Sequence, residues 1–184
     1  MRFPRSVVIV SCVAATALTR HSIAVQAAQS PAPSGLVPAA VLQPLLPAPD
    51  GWKKEADDAS QVAMSPTCTY TFASATYAKD VMRVKIMLAD TAKAEDGLLA
   101  LAAMVVSLPD DYTEKIPPAT IVTRLKIAGS PAAEHWNGTR QEGEITVLVS
   151  GRFVVSLEGS HLDGPETLRG LVQQFDLKKL AELK

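Results

Sequence analysis

From Ile121 to Gly159 apolar and polar residues alternate with a period of two, the repeat of a β-strand whose faces meet different surroundings. Ile121, Thr123, Leu125 and Ile127 oppose Val122, Arg124 and Lys126. Ile145, Val147 and Val149 oppose Glu144, Thr146 and Leu148, and Phe153, Val155 and Leu157 oppose Val154, Ser156 and Glu158. Gly129-Ser130-Pro131, Asn137-Gly138 and Ser150-Gly151 supply residues that tolerate positive φ between these runs, which predicts a four-stranded antiparallel meander. Leu148 and Val154 are apolar on the second face as well, so the last hairpin is expected between helix layers.

Upstream the pattern predicts a short strand from Gly51-Trp52 to Ala56, a polar loop from Asp57 to Pro66, and a long hairpin. Its arms are Thr67 to Ala78 and Val81 to Ala89, with the turn at Lys79-Asp80. Cys68, Tyr70 and Phe72 share one parity and Tyr77 has the other, which predicts a bulge at Ala73 to Ala75.

The period then changes to three and four. Leu98, Leu101, Ala102, Val105 and Leu108 line one face of a helix from about Lys93 to Ser107, capped by Asp90 or Thr91 and stopped by Pro109. Leu99, Met104 and Val106 widen its apolar stripe. Residues 110–120 read as a loop. Pro165 suits the first turn of a second helix, whose core face is Leu168, Leu171, Val172 and Phe175, and Asp176 opens a last short helix through Leu177, Leu180 and Leu183. The expected class is α+β, a single antiparallel sheet made of a long hairpin and a four-stranded meander, with helices packed on it.

The N-terminus follows other rules. Residues 1–28 have Arg2 and Arg5, an apolar run from Ser6 to Leu18 and small residues before a cut near Ala27, the features of a secretory signal peptide. Cys12 lies inside that apolar run, which continues past it, so it reads as part of the signal and not as a lipidation site. Residues 29–50 are rich in Pro and Ala, with one docked helical turn expected at Pro38 to Leu42, and residues 51–184 form a single domain. The expected location is the periplasm or the exterior. Beyond the signal no apolar run is long enough to span a bilayer, so no stable membrane anchor is expected in the mature chain. A net charge of −1 gives no reason to expect nucleic acid. Cys68 is the one cysteine outside the signal, which leaves no intramolecular disulfide.

The layout resembles the PsbP-like fold of exported lumenal and periplasmic proteins. The run Gly151-Arg152-Phe153-Val154-Val155-Ser156-Leu157-Glu158-Gly159, followed by a helix and Asp176-Leu177, is also similar to uncharacterised proteobacterial exported proteins. The resemblance implies a non-enzymatic accessory or assembly role and carries no site residues with it.

No catalytic, cofactor or metal motif stands out. Cys68 with His135 or His161 could supply a thiol and a base for an enzyme, but each has an ordinary explanation as a buried thiol or a loop histidine. Asn137-Gly138-Thr139 matches a glycosylation acceptor that a hairpin turn explains as well. Arg83, Lys85, Arg124 and Lys126 project from the polar sides of two strands and would form a basic partner surface if those strands were neighbours, opposed by Glu134, Glu142, Glu144 and Glu158. The leading expectation is therefore an exported, non-enzymatic module with a protein partner and no cofactor. The alternatives are an enzyme using Cys68 or His135, and a small apolar-ligand carrier with a groove at Leu99, Met104 and Val106.

Overall fold

Eight strands joined by short connections form one antiparallel sheet: β1 (Lys53–Ser65), β2 (Cys68–Lys79), β3 (Met82–Ala94), β4 (Thr113–Ile116), β5 (Thr120–Ile127), β6 (Ser130–Asn137), β7 (Glu142–Val149) and β8 (Phe153–Ser160). The computed structural model describes residues 35–65 and 68–183. The signal-peptide expectation for residues 1–28 and the side chain of Leu99 lie outside the described residues. Strand order is β1-β2-β3-β8-β7-β6-β5-β4, so the meander runs backwards along the sheet and its last strand docks on the long hairpin.

Two of the three meander turns take positive φ at the expected glycines, although Ser130 and Pro131 belong to β6 and not to the turn. Ala128 and Gly129 take φ values of 47° and 84° between β5 and β6. Ser150 and Gly151 take 51° and 65°, in a turn closed by the Arg152 N–H donating to the Val149 carbonyl at 3.0 Å. At the β6–β7 corner the positive φ falls on Gln141, at 54°, and not on the expected Asn137-Gly138; Asn137 Oδ1 accepts from the Arg140 N–H at 3.0 Å, which accounts for the asparagine without a glycan.

Each face meets different partners. One is covered by the N-terminal segment, with α1 (Ala39–Leu42) and a 3-10 turn at Gln43–Leu45, and by α3 (Pro165–Val172) and α4 (Leu177–Ala181), which follow β8. Here Ile86, Leu88, Ile145, Val147, Phe153, Val155 and Leu157 pack against Leu42, Leu162, Leu168 and Leu180. Gly143 and Gly159 are paired on β7 and β8, where a Cβ would fall 2.8 Å from Trp136 Cε3 and 2.6 Å from Leu162 Cδ1 respectively. The opposite face carries α2 (Glu95–Ser107), kinked at Ala102, and a smaller cluster of Ala89, Ala102, Val105, Ala133, Leu148 and Val154.

Several expectations need correction. Residues 57–65 belong to a 13-residue edge strand: Lys53 to Asp58 are exposed and Ala59 to Val62 half-buried whichever face they take, so no alternation marks it. The expected loop at residues 110–120 contains β4, the other edge, whose four residues are all exposed. No bulge interrupts β2 at Ala73 to Ala75: pairing with β3 is regular from Thr71 to Lys79, and the register shifts between Thr69 and Thr71. Ala73, Ala75 and Tyr77 fill the main core while Tyr70 and Phe72 meet the α2 cluster, so both parities are apolar for separate reasons.

Asp90 is no helix cap. It lies in β3, fully buried, and its carboxylate binds Arg152: Nε donates to Oδ1 at 2.8 Å and Nη2 to Oδ2 at 2.7 Å. The Val37 N–H donates to Oδ2 at 2.7 Å, Arg152 Nη2 donates to the Gly35 carbonyl at 2.9 Å, and the Thr71 hydroxyl donates to the Val37 carbonyl at 2.6 Å. The pair thereby clamps the N-terminal segment by its backbone. Hydrogen bonding to Asp90 raises the Arg152 pKa and keeps the guanidinium charged. A second clamp fixes α3, where Glu134, 3% exposed, accepts from Arg169 and raises its pKa in the same way.

Candidate functional site

The α2 side of the sheet changes character in successive rows of cross-strand neighbours, each row set by the ladder register. Under α2 lies Phe72–Ala89–Val154–Leu148. The next row, Ser74–Met87–Ser156–Thr146–Ala133–Arg124, is mostly short side chains, with Ser74, Ser156 and Thr146 buried. The third is Thr76–Lys85–Glu158–Glu144–His135, and Arg83 opposite Ser160 starts a fourth beside Glu142.

Part of these last two rows forms an open tray centred on β3, β8 and β7 and bordered by Thr76 of β2, with Arg83, Lys85, Glu142, Glu158 and Ser160 lining it. Arg83 Nε lies 3.4 Å from Glu55 and Arg140 Nε 3.2 Å from Glu142. Lys85, Glu144 and Glu158 form no ion pair with any described residue. Glu144 Oε1 accepts from the Thr146 hydroxyl at 3.1 Å, which aligns its carboxylate on the strand. The tray therefore presents cations on β3 and carboxylates on β8 and β7, a lateral polarity built into the sheet order.

The expected basic strip is broken. Arg83 and Lys85 share this face with Arg124 and Lys126, but β8, β7 and β6 stand between β3 and β5, and Glu158 and Glu144 fill the gap. Arg124 is not a free surface charge either: its side chain is 11% exposed and Nη1 donates to the Ala132 carbonyl at 3.2 Å. Glu134 belongs to the other face, bound to Arg169. Among the three proposed groove residues, Met104 packs on the α2 cluster and Val106 is 43% exposed.

The thiol and histidines are not brought together. Cys68 pairs with Ala94 at one end of β3, His161 follows β8 near the other end, and His135 lies on β6 with β3, β8 and β7 between it and β2. Among the described residues no three His, Cys, Asp or Glu side chains are arranged to hold a metal ion, and no helix is long and apolar enough to cross a membrane. Cys68 is 4% exposed, so its reaction with an aromatic disulfide reagent should be slow in native protein and immediate in denaturant. Cys68→Ser should cost on the order of 1–3 kcal/mol, read from urea unfolding. Equal thiol reactivity in the two states would contradict the burial.

The fold and site define a single-sheet antiparallel α+β protein with one face closed by helices and the other half open. No protein-family model, curated protein or solved structure matches the chain.

Proposed function

We propose that this chain is an exported, non-enzymatic binding or accessory module that docks a protein partner on the tray of β3, β8 and β7. One observation carries the reading: Lys85, Glu158 and Glu144 stand in a row on an open sheet face, without ion-pair partners among the described residues. Small-molecule sites are enclosed clefts with few charged groups, whereas this surface is open and shallow and carries Arg83, Lys85, Glu142 and Glu158. Cations and carboxylates in fixed lateral order select one orientation of a complementary protein surface. The signal-like character of residues 1–28 supports export, and helices on both faces of one antiparallel sheet are in keeping with a PsbP-like layout.

The test is photo-crosslinking in exporting cells, with a photoreactive residue placed at Lys85, at Glu158, or at exposed Lys178 on α4 as control. One defined adduct from 85 and 158, absent from 178, is expected. No adduct from the tray, or the same adduct from all three positions, would count against the proposal.

A further inference from the structure

The two edges of the sheet are treated differently. β4 has only four residues and carries Glu114 and Lys115, which blunts that edge against further pairing. β1 has 13 residues and pairs with β2 without interruption from Ala56 to Ala63, between register shifts at Lys54/Ala56 and Ala63/Ser65. That regular stretch contains neither proline nor lysine, and its only charges, Asp57 and Asp58, lie together at one end, which leaves Ala59 to Ala63 without a guard. Its outer side holds a row of backbone donors and acceptors directed away from β2.

We infer that β1 pairs antiparallel with β1 of a second copy of this chain, about a two-fold axis at Ser60, so that the two sheets become continuous. A two-fold perpendicular to the sheet keeps each face on its own side, so residues facing each other have the same parity and the axis must pass through a residue. At Ser60 the stretch from Asp57 to Ala63 pairs with itself and both register shifts stay outside it. Asp57 then faces Ala63 and Asp58 faces Val62, so neither carboxylate meets its like, and the small residue Ser60 faces itself. On the α2 side Val62 and Ser60 are the cross-strand neighbours of half-buried Tyr70 and Phe72, whose rings lie 6.4 Å apart. On this side the second copy sets Val62 against Asp58 and Ser60 against Ser60, at the margin of these rings. Self-pairing satisfies the whole stretch with the chain's own sequence, and a strand from another protein is the outcome the test separates.

The experiment uses the exported protein after removal of residues 1–28. Sedimentation equilibrium at tens of micromolar should give twice the chain mass. Ser60→Lys sets two lysines opposite each other and should give the single-chain mass with an unchanged circular dichroism spectrum. Register is read independently by oxidation. Ser60→Cys should form a disulfide-linked dimer alone, whereas Asp58→Cys and Val62→Cys should link efficiently only when mixed. A single-chain mass for the unsubstituted protein, a dimer indifferent to Ser60→Lys, or no linkage through Ser60→Cys and the mixed pair would each overturn the inference. A linked adduct to a different protein through Ser60→Cys would assign the edge to that protein and overturn it too.

Discussion

Arg152→Ala should lower the unfolding free energy by about 3–5 kcal/mol, the range expected when one partner of a buried ion pair is removed and the other stays behind. Asp90 is fully buried and receives hydrogen bonds from Arg152 Nε, Arg152 Nη2, Val37 N–H and Ala92 N–H. Truncating Arg152 removes two of these donors and the balancing charge, and also frees the Gly35 carbonyl. The loss should be both global and local. Urea unfolding gives the global part, while hydrogen exchange at Val37 should speed up by more than the change in global stability requires. A loss below about 1 kcal/mol with unchanged exchange at Val37 would contradict the clamp.

Phe153→Ala should cost a similar amount, about 3–5 kcal/mol, by a different mechanism. Phe153 is 1% exposed at the start of β8 and belongs to the cluster that also contains Leu168 and Phe175. Removing the ring leaves a void that the rigid sheet cannot collapse around, so the cost combines lost burial with a cavity. The Arg152 guanidinium also stacks 4.8 Å from the ring centroid, so the two substitutions share a contact and should not add. The exchange pattern should differ from that of Arg152→Ala, with all slowly exchanging strands accelerated together. A denaturation midpoint unchanged by Phe153→Ala would contradict the assignment of Phe153 to the core.

The elements that were legible in the sequence are those whose residues meet two environments. The meander from Thr120 to Ser160 and α3 with Leu168, Leu171 and Val172 buried follow directly from periodicity and turn chemistry. Asp176 caps α4 by accepting from the Lys179 N–H at 3.0 Å, as its position before an apolar run suggests. The edge strands were illegible for the opposite reason: most of β1 and all of β4 face solvent on both sides, so selection for burial leaves no alternation. β2 misleads differently, because a strand covered on both faces looks like one with a phase error.

Asp90 shows the limit of local chemistry. An acidic residue before a helix reads as a cap, and only the pairing of Asp90 with Phe153 reveals that Arg152 is its partner, 62 positions away in sequence. The tray was hidden by the same non-locality. Arg83 and Lys85 were recognisable as projecting charges, but their neighbours are set by β8 docking on β3 and not by chain order. The sheet order separates them from Arg124 and Lys126, and gives them Glu158 and Glu144 as neighbours instead.

The central claim is that the lateral order of charges on this tray recognises a protein partner. The most direct measurement is the yield of the tray crosslink when that order is reversed, with the photoreactive residue at Ser160 and the substitutions Lys85→Glu and Glu158→Lys made together. The exchange preserves net charge and composition on exposed positions, so the unfolding midpoint should not move. The account predicts that the adduct is lost in the reversed protein. An adduct formed equally well by the reversed and the original protein would contradict it.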